Sequence, residues 1–359
     1  MGARCFGWRL PAAMLLAICL SACASQPRED ARIRIGIGET KTEPAAKYAS
    51  LYVPYAMMAT AAYTDPHVLN RQLCPDVGLL GRPANAANED EATFHRTVRG
   101  WINSLNQAGW ECHFGHVGSL GCPTRNPDCK ASDGLEFHVW RRVDRIGSVD
   151  RRCREVAIAF RGTDRRDAGD WQSNFRWIRR LSPRFDQYDQ VREHIGRIVQ
   201  QIEDGGCRGP DMRFVSVGHS LGGGLAQQAA YAHPKIRYVY AFDPSPVTGF
   251  FDISELLREK HMYRLGIDRT YESGEILALP RLILEDIYPP AACNPSVRTV
   301  RFNLLSGLPA AQHNMQQLAH HMQEIARKQR AAARLRGEHP ASGYPHALGC
   351  SVVAAAPKI

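Results

Sequence analysis

Residues 214–230 read FVSVGHSLGGGLAQQAA. An apolar run enters Gly218-His219-Ser220-Leu221-Gly222, and a helix-like segment leaves it. The five residues fit G-x-S-x-G, and their chemistry explains the spacing. A serine on a sharp strand-to-helix turn projects its hydroxyl above a sheet. Strand and helix backbones crowd together two residues to either side, so small residues are required there. Gly223 and Gly224 extend the small-residue run into the helix. The strand before, the helix after and the extra glycines together make Ser220 a candidate nucleophile rather than part of a plain turn.

A serine hydroxyl needs a base, an acid that orients the base, and donors for a developing oxyanion. AFRGTD (159–164) follows an apolar strand pattern and precedes DWQSNF (170–175). A helix and a strand then lead to Ser220, which makes one crossover unit with neighbouring strand ends side by side. The backbone N–H of Thr163 is thereby placed beside the elbow, with the N–H of Leu221 as second oxyanion donor. His219 adjoins Ser220 and cannot reach it as a base. It reads as packing.

AFRGTD followed by Asp170-Trp171, then VGHSLGGGLA, resembles the class 3 lipase family of α/β-hydrolases over about residues 154–232. The resemblance implies that fold, hydrolysis of acylglycerols or related carboxyl esters, Thr163 as oxyanion residue and Ser220 as nucleophile. Trp171 matches a packing tryptophan of the family. The family's acid is an aspartate near a Leu-Pro segment. In YESGEILALP (271–280) Glu275 stands next to that register, which departs from the pattern. Glutamate can do the job in this fold, and Asp243, at the end of the strand after the elbow helix, is the alternative acid. Glu272 lies an odd number of residues from Glu275 and points to the other face if on a strand. His313 follows a late strand at the start of a helix and is the candidate base. His346, in a Gly/Pro-rich tail, is its alternative. The reaction class is serine hydrolysis of lipid carboxyl esters, triacylglycerol lipase-like, through an acyl-enzyme and without a cofactor. Phospholipase and short-chain esterase are the alternatives within enzymes. A catalytically silent lipid-binding lipoprotein is the alternative outside them.

The chain of 359 residues is 44% hydrophobic and 23% charged, which marks a folded globular protein. Strand patterns at 135–140, 155–160, 213–218, 236–242, 268–272 and 297–304 alternate with helical patterns such as 188–203. That rhythm predicts an α/β fold with a mostly parallel central sheet and helices on both faces. A further amphipathic helix is expected to start near Pro54. Residues 47–359 are read as the hydrolase domain, with a Cys-rich, loop-rich insertion near 64–134 that carries a short helix around 92–108.

The N-terminus reads differently. Arg4 and Arg9 precede the apolar run AAMLLAICL and then LSAC at 20–23. Residues 1–22 read as a signal peptide. LSAC resembles the lipobox of bacterial lipoproteins, which implies lipidation of Cys23. Ala24 and Ser25 imply outer-membrane sorting. Residues 23–46 are then an anchored tether. Beyond the anchor Cys23 eight cysteines remain, an even number that suits disulfides in an exported protein. Cys112, His113, His116, Cys122 and Cys129 cluster without a zinc spacing, so no metal is assigned. The formal charge is +9, of which the signal carries two through Arg4 and Arg9. The basic balance suits an anionic membrane or acidic substrate, with Arg179 and Arg180 candidates for a headgroup. No motif points to nucleic acid as a partner.

Overall fold

A computed structural model describes residues 28–64, 89–116, 120–122, 130, 134–146, 150–162, 185–209, 211–285 and 291–335. Its framework is a single nine-stranded sheet with helices on both faces. In chain order the strands are β1 (Arg28–Ile35), β2 (Lys41–Pro44), β3 (Trp110–His116), β4 (Phe137–Ile146), β5 (Asp150–Phe160), β6 (Arg213–His219), β7 (Ile236–Phe242), β8 (Gly266–Glu272) and β9 (Ser296–Asn303). The helices are α1 (Ala45–Ala61), α2 (Glu89–Gln107), α3 (Gln187–Asp204), α4 (Leu221–Ala232), α5 (Glu255–Met262), α6 (Ala278–Glu285), α7 (Pro309–Gln312) and α8 (Met315–Leu335).

The sheet order is β2-β1-β9-β8-β7-β6-β5-β4-β3. The five strands β5 to β9 are parallel throughout. Both flanks are antiparallel, β3 on β4 on β5 at one side and β2 on β1 on β9 at the other. The expectation of a mostly parallel sheet therefore holds for the centre, and the edges depart from it. The centre determines the site, because all its strands end on the same side.

Alternation divides each central strand between two cores. Ala157 and Ala159 of β5 face one layer, Val156, Ile158 and Phe160 the other. The first layer is built by α1 and α8, with Tyr52, Met58, Leu318 and Met322 fully buried. The second is built by α3 and α4, with Ile195, Val199, Leu225 and Ala229. The helix α1 is apolar nearly all round, as a fully enclosed helix must be. Tyr55 on it stacks on Tyr240, ring centroids 3.9 Å apart, and its hydroxyl donates to Glu155 Oε1 at 2.5 Å. A buried phenol needs such a partner.

Three readings of the sequence are corrected here. Residues 28–44, read as tether, include the edge strand β2 and its neighbour β1. Ala31 and Ile33 alternate with polar residues, so one face packs and the other stays wet. The helix expected near Pro54 begins at Ala45 and holds Pro54 inside it. Packing of Tyr48, Ala49 and Tyr52 on the sheet outweighs the one backbone bond that proline removes. Within the expected loop-rich insertion, β3 pairs with β4, and α2 runs for 19 residues. Cys112 and Cys122 are each disulfide-bonded. Cys153 and Cys207 bond to one another, tying β5 to the loop before β6.

Candidate active site

The elbow is built as the sequence requires. Ser220 has φ 57° and ψ −125°, in a region that a side chain adopts only under strain. Its N–H donates to Phe242 O at 3.0 Å, and its carbonyl accepts from Gly223, Gly224 and Ser245. A Cβ on Gly218 would stand 2.1 Å from Gly222 O, and one on Gly222 2.3 Å from Phe160 O. Both are backbone obstacles, so no rotamer relieves them. Leu221 opens α4, where the first N–H groups have no acceptor within the helix.

The structure brings Glu275 and His313 together. Glu275 follows the end of β8, and His313 follows β9 across the α7 turn. His313 Nδ1 lies 2.7 Å from Glu275 Oε2. An ionised carboxylate only accepts, so Nδ1 carries the proton and Nε2 is left as the basic nitrogen. The other oxygen of Glu275 pairs with Arg281 of α6. The His313 ring centroid is 4.5 Å from that of His219, the residue before Ser220, so the imidazole lies over the elbow. Burial pushes His313 down to about 4, against the pull of Asp243 and with the push of Arg281. It is neutral at neutral pH, the form a general base needs.

Asp243, the alternative acid, is close as well. One side-chain ligand atom each of His219, Asp243 and His313 lies within 4.8 Å of the others. Asp243 is buried at φ 38°, and its Oδ1 accepts from the Glu272 N–H at 2.7 Å. Burial holds its carboxyl above the usual range, opposed by His313 and Arg281. Among the described residues its Oδ2 has no hydrogen-bond partner. Glu275, which has the direct hydrogen bond, is therefore the better placed of the two. Glu272 instead accepts from Leu304 N and Leu305 N.

The same three residues form a possible cation-ligand set. Two of the three already bond elsewhere, His313 through Nδ1 to Glu275 and Asp243 to the Glu272 N–H. The set also leaves the strained serine unexplained, whereas acid, base and elbow together account for it.

The loop after β5 reaches the elbow, because Phe160 pairs with Gly218 and a Cβ on Gly162 would meet His219 O at 2.6 Å. Thr163, Trp171, Arg179, Arg180, His346 and Cys23 lie outside the described residues.

Residues 134–241 match a family model described as "Phospholipase-like: Tle-like phospholipase domain". The match runs from just before β4 to the end of β7 and includes Ser220. It supports a lipid-ester hydrolase of the lipase and phospholipase kind. No curated protein matches the chain.

Two site residues carried no sequence signal. Tyr63, just past α1, places its hydroxyl 2.8 Å from His219 Nδ1 and fixes that ring. Arg281 reads as an ordinary helix cation but is largely buried against Glu275 and over the Tyr271 ring at 4.3 Å. Tyr63 meets His219 only where the end of α1 reaches the end of β6, and Arg281 meets Glu275 and Tyr271 only where α6 packs beside β8.

Proposed function

We propose that the protein is a serine hydrolase of α/β-hydrolase architecture that cleaves carboxyl esters of phospholipids. Ser220 is the nucleophile, His313 the base, Glu275 the acid that orients it, and the N–H groups of Leu221 and Thr163 the oxyanion donors. The observation that carries the reading is the Glu275–His313 hydrogen bond placed over a strained serine turn. Nucleophile, acid and base follow the ends of β6, β8 and β9, in the chain order expected of this fold.

In the first step His313 Nε2 takes the Ser220 proton as Oγ attacks the acyl carbonyl. The oxyanion is held by N–H groups already oriented by backbone structure. The protonated His313 then gives its proton to the leaving alcohol, and water releases the acid by the same route in reverse. The neutral ground state of a buried His313 favours the first step. The carboxylate of Glu275 stabilises the imidazolium formed during it.

Likeness to class 3 lipases and the phospholipase match agree on a lipid carboxyl ester. They differ on the headgroup, and the extent of the match favours a phospholipid over triacylglycerol. Export, anchoring through lipidated Cys23 and residence at the outer membrane complete the proposal and would place the enzyme at its substrate. No described helix is long and apolar enough to cross a membrane.

The test is labelling of the folded protein by a fluorophosphonate, with the adduct located by peptide mass. An adduct on Ser220 that is absent from Ser220→Ala and from a heat-denatured sample is the expected result. A folded chain that stays unlabelled with and without phospholipid vesicles refutes the reading.

A further inference from the structure

On the α4 side of the sheet, a cavity of about 440 Å³ opens beside the acid loop without including Ser220, His313 or Glu275. Its floor is the outer face of β8, β9 and β1. Strand register fixes what that face displays. Arg34 pairs across to Thr299, and Thr299 to Arg269, in one row. In the next row on that face Arg32 pairs to Arg301, and Arg301 to Tyr271. Arg34, Arg269 and Arg301 thus line the cavity from two rows, with the exposed Arg32 next to Arg301, spanning two strand spacings, or about 10 Å.

Like charges directly opposite on a sheet are destabilising, and Arg32 faces Arg301 in this way. Among the described residues neither meets a carboxylate. Arg269 donates to Gln227 Oε1 at 2.9 Å, a neutral partner. Glu272 also lines the cavity, but its carboxyl accepts from Leu304 N and Leu305 N and is raised to about 8 by burial. The lip is apolar instead. Phe251 and Leu282 line the cavity and are 62% and 64% exposed, with Ile283 beside them. A cationic floor under an apolar lip matches an amphiphile whose head is an anion.

We infer that this cavity binds the phosphate of an anionic phospholipid headgroup, on Arg269 and Arg301, with the lip at Phe251 and Leu282 entering the lipid. The volume lies within the range of small-molecule sites. Arg281 lines the cavity and also holds Glu275, so the site adjoins the proposed catalytic centre and presents it to the same lipid surface. The lipid source of the phosphate rests on the proposed hydrolase reading. The anion binding does not.

The test separates the two. Binding is measured on the Ser220→Ala protein, where turnover plays no part, by co-sedimentation with vesicles of phosphatidylcholine alone or mixed with phosphatidylglycerol. Preference for the mixed vesicles is expected, with a roughly fivefold loss for Arg301→Gln and again for Arg269→Gln, the order of one surface cation's contribution. Arg327→Gln, an exposed change on α8 at the opposite face, is the control and is expected to change little. Equal loss in all three variants would mean diffuse charge and overturn the site. So would no loss at Arg301 and Arg269. Heat stabilisation by millimolar inorganic phosphate through Arg269 and Arg301, without any vesicle preference, would reassign the site to free phosphate and overturn the lipid reading. Failure of Ser220 labelling in the unsubstituted protein would count against the hydrolase alone.

Discussion

Replacing Glu275 by Gln tests which carboxylate serves His313. The Gln carbonyl can still accept from Nδ1, so the ring keeps its orientation and loses only the charge beside it. At the observed 2.7 Å, and with an effective dielectric of about 20, that charge favours an imidazolium by about 6 kcal/mol. Arg281 on the other oxygen cancels roughly half of this, leaving about 3 kcal/mol, or a hundredfold or more in kcat. KM for a soluble p-nitrophenyl ester should hardly move. Asp243→Asn should cost less than about tenfold, because Asp243 has no hydrogen bond to His313 and burial already weakens its charge. Glu275→Gln has a second consequence. It leaves the buried Arg281 without its anion, although the bond to Pro244 O at 2.8 Å and the Tyr271 ring remain. A loss of about 2 kcal/mol in stability is expected. Adding Arg281→Met removes the stranded charge and should restore most of the Tm without restoring kcat. The assays are steady-state kinetics and thermal unfolding on the same four proteins. A larger loss in Asp243→Asn than in Glu275→Gln would make Asp243 the acid. Recovery of kcat together with Tm in the double variant would mean that Glu275 acts on stability alone.

Two further perturbations read the elbow and the base. Gly222→Ala gains helix propensity of about 1 kcal/mol, yet its Cβ would stand 2.3 Å from Phe160 O, so net destabilisation of more than about 2 kcal/mol and loss of Ser220 labelling are expected. Gly196→Ala in α3, whose Cβ has nothing nearer than His233 Cδ2 at 4.0 Å, should stabilise instead, and a Gly222→Ala protein with unchanged Tm would refute the crowding argument. His313 is pushed down to about 4, so kcat/KM should hold as pH falls from 7 to about 5 and drop near 4. On that group's account the unfolded chain binds its proton first, near pH 6.5, so stability also declines as pH falls from there through about 4. A rate that halves near 6.5 in a chain still folded by circular dichroism would contradict the burial of the base.

Much of this arrangement was legible because the centre of the sheet follows simple rules. Phe214 to Val217 and Ile236 to Phe242 are largely apolar, interrupted by Ser216 and Arg237, as strands covered on both faces tend to be. The glycines around Ser220 encode backbone crowding directly. The edges were harder. β1 buries only one face, so Ala31 and Ile33 are outnumbered by Arg28, Glu29, Asp30, Arg32 and Arg34, and the stretch resembles a polar tether. In β3, Trp110, Cys112 and Phe114 point inward between histidines that suggested a cluster instead. The order Ser220, Glu275, His313 could be read from the chain. The choice between Glu275 and Asp243 could not, since both follow strands that end on the same side. Distance to His313 separates them, and distance is a tertiary property. Tyr63, 156 residues from His219, had no local signature at all.

Burial drives the proposed base and acid alike towards neutrality, with opposite consequences for the reaction. A buried imidazole is driven towards its neutral form, which is the form that accepts the Ser220 proton. A buried carboxyl is driven the same way, towards neutrality, which would remove the charge that stabilises the imidazolium. Each needs a different remedy, and α6 supplies it to only one of the two carboxyls by direct contact. Arg281 sits on Glu275, so that carboxylate has a compensating charge although it is buried. For His313 the same cation pushes in the direction burial already favours. Asp243 has the backbone N–H of Glu272 and no paired guanidinium, so its burial is opposed less directly. A helix arginine that looks incidental in the sequence therefore separates the acid from its rival, and keeps base and acid in the protonation states that the proposed reaction requires.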